Sequence, residues 1–279
     1  MSLPTVTGNN YFDTEIQMAY MGASQFKAFQ RCEAAALAEL EGRYCMPKTT
    51  ALLVGSYVDA HFEGALDVFK ARNPEIFKRD GSLRAEYIQA ERIISRLEND
   101  ELYTLLMSGR KQVVRTGEIA GVPYKIKIDS LLDADTCRRV VDRFPFASEA
   151  MGFCDGAIVD QKIVRDTGDV WSDEEWSRIS FVRAWGYDIQ GAIYQAIEGN
   201  MLPFILAVGT KEDEPDLEAL YIPDQELAAK LEEVRGLSPR YQAIKRHEIE
   251  PIGCGRCPYC RSRKALDRII DYRMVGELG

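Results

Sequence analysis

Two short segments, KIKID at 125–129 and AIVDQK at 157–162, most constrain what this chain can fold into. In the first, Lys125, Ile126, Lys127, Ile128 and Asp129 alternate with the period of two that marks a half-buried strand. Asp129 comes where that strand is due to end. In the second, Ala157, Ile158 and Val159 lead directly into Asp160, Gln161 and Lys162. Side chains alternate on a strand, so Asp160 and Lys162 point to one face. If the two strands are neighbours, Asp129, Asp160 and Lys162 converge at one edge of a sheet. Two carboxylates there can hold a hard divalent cation, and the adjacent ammonium can orient a water or steady a developing negative charge. Read alone, the same residues also describe a turn opened by Asp129 and a solvated strand end.

Composition bounds the function. With 279 residues, 46% hydrophobic and 28% charged, the chain resembles an ordinary globular protein that buries a core. It shows no internal repeat and no linker, so one domain over 1–279 is expected. Its longest apolar runs, such as MLPFILAVG (201–209), are far short of a membrane span. The start, MSLPTVTGNN, lacks a basic region followed by an apolar stretch. A cytoplasmic protein without a membrane partner is expected. The net charge of −9 argues against a broad phosphate-binding surface. A local basic surface can coexist with an acidic total, and Lys111, Arg115, Lys125, Lys127, Arg138, Arg139, Arg143, Lys162 and Arg165 concentrate cations mid-chain.

Periodicity predicts helices over 21–42, with Ser24 as cap, over 49–72, and over 83–109, the clearest amphipathic stretch. Residues 111–121 alternate and turn at Gly121 into the strand of Asp129, which reads as a hairpin. CRRVV (137–141) reads as a short extra strand and 144–156 as a loop or flap. A helix is expected from about Asp173 through Gln190 and Tyr194. Two strands joined by an acidic turn follow at 201–223, then a charged helix at 224–248 interrupted near Gly236 to Pro239, and a last helical stretch from 265. The expected fold is α/β, a central mixed sheet flanked by helices.

Several other residues carry chemistry. His61 lies among apolar neighbours on the helix expected over 49–72, with Glu63 close by. Such a histidine is more often hydrogen-bonded within a core, although its neutral imidazole can complete a metal site. Tyr187, Gln190 and Tyr194 share one helical stripe. The inward amide of Gln190 needs polar partners, which a phosphate, a nucleotide or the Asp-Lys strand would supply. The seven cysteines are odd in number and follow no secretion signal, which argues against a disulfide framework. Cys254, Cys257 and Cys260 form C-x2-C-x2-C, a spacing suited to an iron–sulfur cluster or to zinc with a fourth ligand from elsewhere; the plainer reading is a set of reduced thiols.

Taken in order, His61, Asp129, Asp160-Gln161-Lys162, Gln190 and Tyr194 resemble the RecB-like branch of the PD-(D/E)xK nuclease superfamily, most of all the phage and prophage RecE-type exonucleases akin to exodeoxyribonuclease VIII. SQFKAFQRCEAAALAEL (24–40) is similar to that family's N-terminal helix. The resemblance runs from about Ser24 to Cys260. It implies a restriction-endonuclease-like core and a Mg²⁺- or Mn²⁺-dependent deoxyribonuclease, bacterial or prophage-encoded. Its substrate would be DNA and its partner a single-strand annealing recombination protein; a ring-shaped homo-oligomer would favour processive action.

The resemblance also implies roles. Asp129 and Asp160 would hold the metal, with His61 as a further ligand and Gln161 adding its carbonyl. Lys162 would position or activate the attacking water. Gln190 would support the catalytic site, Tyr187 and Tyr194 would support it or touch DNA, and Glu118 is the reserve ligand for a second metal. Relatives that carry a [4Fe–4S] cluster join one N-terminal cysteine to three C-terminal ones, which makes Cys32 the fourth partner.

Two departures stand out. Asp160 lies 31 positions after Asp129, more than the family's usual short hairpin allows, so 133–156 reads as an insertion. The spacing to the last cysteine is narrower than is usual. Were 137–144 the second strand instead, Asp142 would take the acidic role; Asp160 is preferred because Lys162 follows it. The rival function is a catalytically silent DNA- or protein-binding module on the same fold.

Overall fold

The alternation between 110 and 133 forms the hairpin at one edge of the sheet. The computed structural model describes residues 3–45, 49–152, 154–266, 269, 271 and 273. Strands β1 (Arg110–Ile119) and β2 (Val122–Asp133) are joined by Ala120 and Gly121, at φ 50° and 76°. Two consecutive positive φ values match the twist of a tight hairpin, and glycine takes the second without penalty. β3 (Gly156–Val164) runs antiparallel to β2, with Ser130 opposite Val159 and Leu131 opposite Ile158. β4 (Val170–Ser172) and β5 (Ser177–Ile179) make a separate two-stranded hairpin. β6 (Phe204–Thr210) pairs parallel to β3, and β7 (Leu217–Ile222) antiparallel to β6. The resulting order, β1-β2-β3-β6-β7, is the expected central mixed sheet. β6 is buried at every position, which explains its continuous apolar run.

Helices precede and flank these strands. Those before the sheet are α1 (Thr14–Ala19), α2 (Ala23–Arg31), α3 (Glu33–Leu40), α4 (Thr50–Phe62), α5 (Leu66–Arg72), α6 (Ala85–Glu98) and α7 (Glu101–Leu106). Each long helix expected here is broken. The first divides at Cys32, which is extended (φ −169°, ψ 107°), and Gly22 rather than Ser24 stands before its first turn. The second ends at Gly64, whose φ of 73° stops an α-helix. The third divides where Asp100 accepts the N–H of Tyr103 at 2.8 Å and so starts a new helix.

Corrections continue beyond the hairpin. Residues 134–143 form helix α8 (Ala134–Arg143), not the extra strand expected at 137–141. Asp133 caps it through the Thr136 N–H at 2.8 Å, and Cys137 and Val140 are buried at helical spacing, so a local cap outweighs the strand propensity of the two valines. The expected loop contains a 3-10 turn (Pro145–Ala147) and α9 (Ser148–Met151); Phe153 lies outside the described residues. The helix expected from Asp173 starts later, as α10 (Phe181–Ala184) and α11 (Tyr187–Glu198). Its acidic start is instead the β4–β5 turn, where Ser172 Oγ accepts the Glu175 N–H at 3.2 Å and the Trp171 indole N–H donates to Asp173 at 2.9 Å. α12 (Asp224–Lys245) passes Gly236 and Pro239 without a break, and α13 (Pro258–Ser262) follows. The last helical stretch expected lies mostly outside the described residues. Among the described residues no helix is long and apolar enough to cross a membrane.

The chain divides into two compact units, one of Met1–Pro47, Thr116–Lys125 and Glu232–Gly279, the other of Lys48–Arg115 and Ile126–Leu231. In the first, Phe26 and Phe29 pack on Tyr241 at 5.2 and 5.3 Å between ring centroids. In the second, Tyr57, Ile93 and Leu97 pack with Ala157, Val159 and Ala207 of the sheet. There α11 lies close on β6 at Gly191, where an added Cβ would stand 2.7 Å from Phe204 Cδ1 and 2.9 Å from Leu227 Cδ2. Phe204 is fully buried and cannot give way. Gly191→Ala is therefore expected to lower stability by about 1–2 kcal/mol despite alanine's better helix propensity, a Tm loss of roughly 5 °C by calorimetry. An unchanged Tm would show that α11 is not held this tightly.

Candidate active site

The pairing of β2 with β3 ends at Ser130 and Val159. One step further in that register lie Asp129 and Asp160, and side chains take over from the backbone ladder: the Gln161 N–H donates to Asp129 Oδ2 at 3.0 Å. Asp160, with a side chain only 3% exposed, forms an ion pair with Lys162. Gln190 Nε2 donates to Asp160 Oδ1 at 2.7 Å, so the inward amide of α11 finds its partner on the Asp-Lys strand. Lys162 Nζ also donates to the Gln161 carbonyl at 3.1 Å and stands 5.4 Å from the Tyr187 ring centroid. Tyr194 donates to the Lys127 carbonyl at 3.1 Å, tying α11 to β2.

Helix α4 and its C-terminal residue supply two acids, Glu63, noted above beside His61, and Asp59, which sequence reasoning missed. Asp59 and Glu63 are four residues apart and share a face. With Phe62, Met107, Gln112, Asp129 and Gln161 they line a cavity of about 10 Å³, room for one water or ion. Gln161 bridges the groups: its Nε2 donates to Asp59 Oδ1 at 2.8 Å, and its Oε1 accepts from Tyr103 at 2.6 Å. Gln112 donates to Asp129 Oδ1 at 3.3 Å from a backbone at φ 52°, and its buried Oε1 has no hydrogen-bond partner. A non-glycine residue held left-handed in a strand is strained, and such strain gathers where function needs it.

His61 is two residues beyond Asp59 and therefore points away from that face of the helix. Its Nε2 lies 2.7 Å from Glu98 Oε1, and it does not line the cavity. Glu118 is exposed on β1 and belongs to the other unit.

The electrostatics follow from three carboxylates around one ammonium. Burial, with the charge of Asp160 added, raises Asp129 to about 7. Burial raises Asp59 to about 6, against the opposing hydrogen bond from Gln161. Burial disfavours the charge on Lys162, but Asp160, Asp129 and Asp59 together outweigh it and hold the ammonium protonated. The acids that line the cavity, Asp59, Glu63 and Asp129, offer oxygens, the cavity has the volume of an ion, and the buried Gln112 Oε1 is unsatisfied, so this lining fits a hard divalent cation; Asp160 stands outside it, engaged by Gln190 and Lys162.

A pH dependence results. The folded pKa values of Asp59 and Asp129, about 6 and about 7, lie above the ordinary carboxylate value near 4. A raised acid favours the fold below its unfolded pKa, and that contribution is lost as pH rises through the folded pKa. The metal-free protein should therefore lose stability between about pH 4 and pH 7 from these two groups, and millimolar Mg²⁺ should raise Tm more at pH 8 than at pH 5.5. Equal Tm gains at the two pH values would contradict this.

A mixed sheet in which two adjacent strands carry paired aspartates inside each strand, where their mutual pairing stops and not at a strand end as expected for Asp129, with lysine two residues after the second, defines a PD-(D/E)xK-type fold. The chain belongs to the family described as PDDEXK-like domain of unknown function (DUF3799), which matches residues 22–139 and 152–263. The unmatched residues between fall inside the stretch that reads as an insertion. The chain is also similar to a crystal structure from Eubacterium rectale named "Putative exonuclease", with 39% identity, 98% of each chain covered and a TM-score of 0.84. No curated protein matches the sequence.

Proposed function

We propose that the whole chain acts as one nuclease domain, a cytoplasmic Mg²⁺- or Mn²⁺-dependent exonuclease that hydrolyses DNA phosphodiesters in phage-type recombination. The observation that carries this reading is the buried Asp160–Lys162 pair, held by Gln190 and set beside Asp129 on the neighbouring strand. The name of the Eubacterium rectale relative supports the exonuclease part. The recombination role and an annealing-protein partner rest on the family resemblance alone.

Hydrolysis needs a deprotonated water in line with the scissile bond and positive charge at the phosphoryl oxygens. Asp129 and Asp59, which line the cavity, would hold the cation, with Asp160 as the further ligand that the family resemblance implies; when bound, the ion supplies Lewis acidity and lowers the pKa of a water. Lys162 presents an ammonium kept charged by its acidic neighbours and only 19% exposed, suited to orient a water or to donate to a phosphoryl oxygen. Gln190 fixes one oxygen of Asp160 and leaves the other to Lys162. Tyr103, acting through Gln161, fixes the rotamer of Asp59. The test is degradation of end-labelled linear duplex DNA by purified protein with Mg²⁺, Mn²⁺ or EDTA. Hydrolysis with the ions and none in EDTA is expected; binding without hydrolysis would favour the silent module.

A further inference from the structure

Cys32 stands at the extended junction of α2 and α3, and Cys254, Cys257 and Cys260 follow α12; all four belong to one compact unit. Their sulfurs lie within 4.8 Å of one another, with Cys32 and Cys260 3.6 Å apart. Among the described residues no other group of three or more His, Cys, Asp or Glu gathers its ligand atoms so closely.

The local backbone is built for thiolates. The Cys254 N–H donates to Cys32 Sγ at 3.4 Å, the Cys257 N–H to Cys254 Sγ at 3.3 Å, and the Cys260 N–H to Cys257 Sγ at 3.4 Å. Donors aimed at sulfur favour the ionised form, which is the form that binds metals. Gly255, at φ 72°, makes the turn that lets Cys254 and Cys257 face one point. Beside Cys32, the Glu33 carboxylate accepts two bonds from Arg240, at 2.6 and 2.7 Å, and one from the Ile252 N–H at 2.8 Å. These contacts hold the two ends of the sulfur cage in fixed relation.

The cage is compact, with one sulfur pair at 3.6 Å and all separations within 4.8 Å, which favours the smaller occupant. A tetrahedral zinc with Zn–S bonds of about 2.3 Å sets its sulfurs roughly 3.8 Å apart. A [4Fe–4S] cube with a cysteine on each iron spreads them to about 6 Å. We propose that Cys32, Cys254, Cys257 and Cys260 form a closed, structural zinc site, and that the [4Fe–4S] cluster implied by the family resemblance does not fit this spacing. Four thiolates leave zinc no open position for substrate, so the ion joins the first and last segments of the unit. Binding releases the thiol protons to solvent and needs no oxidant or reductant.

The site is tested by metal content, independently of nuclease activity. Full-length protein purified anaerobically should contain about one zinc per chain, with little iron or acid-labile sulfide. After zinc removal, Co²⁺ should give the visible bands of tetrahedral thiolate cobalt, between about 600 and 750 nm. Cys254→Ser and Cys260→Ser should lose those bands, and Cys45→Ser, which changes an exposed thiol outside the group, should keep them. If the serine variants fold poorly, the wild-type apoprotein still decides: Zn²⁺ should raise its Tm by more than about 5 °C. Four irons with sulfide and absorbance near 400 nm, not displaced by zinc, would overturn the proposal. So would a wild-type chain that holds neither metal in stoichiometric amount.

Discussion

Asp160→Asn is expected to lower the rate of DNA hydrolysis by about 10³-fold or more, at unchanged secondary structure. The substitution keeps the shape and an oxygen for Gln190, but removes the charge that pairs with Lys162. Lys162 then keeps its bond to the Gln161 carbonyl but has only longer-range carboxylate partners in Asp129 and Asp59, so stability should fall as well, by up to roughly 10 °C in Tm. Circular dichroism and oligonucleotide binding in EDTA separate lost chemistry from lost structure. Lys162→Met should be as inactive, because a water or phosphoryl oxygen would lose its ammonium donor. A binding module would tolerate both changes, so wild-type rates in either variant would end the nuclease reading of this site.

The second large effect is expected at Asp59 and not at His61. Asp59→Asn should cost about 10²–10³-fold in rate, since it removes a carboxylate that lines the ion-sized cavity and is held by Gln161. His61→Ala should stay within about threefold: its contact is Glu98, whose side chain is 53% exposed, and such a surface pair contributes little. Both variants are to be compared by initial rates across Mg²⁺ concentrations, because loss of a ligand raises the concentration needed for half-maximal activity. The reverse ranking would restore His61 to the ligand set.

The contrast between Asp59 and His61 shows where sequence reasoning stops. Both residues sit in one apolar helical stretch, and nothing in the spacing tells which of two faces meets the sheet. Imidazole is the rarer and more distinctive ligand type, so residue type alone favours His61 over Asp59. The Asp59–Glu63 spacing, four residues, sets two acids on one helical face but does not say that this face meets the sheet. Gln112 left no such signal, since its left-handed φ cannot be read from a glutamine in an alternating run. The stretch at 137–141 failed for a related reason: two adjacent valines suggest a strand, and only the Asp133 cap and the burial of Cys137 and Val140 make it a helix.

Periodicity is a local property, and what it determines is local. By itself the sequence established the β1–β2 hairpin, the strands of Asp129 and Asp160, the shared face of Asp160 and Lys162, and the inward amide of Gln190. It also marked three cysteines as a metal-type cluster. Only the tertiary structure decided that β2 and β3 are adjacent in a register that sets Asp129 beside Asp160, and that α11 lies close enough on β6 for Gln190 to reach Asp160; the place of Cys32 beside the other three sulfurs was implied by the family resemblance but by no spacing in the sequence. The Gln190–Asp160 and Cys32–Cys260 contacts join residues 30 and 228 positions apart. They depend on strand register, on a glycine where two elements touch and on the cage that four sulfurs can close, none of which a short window of sequence records.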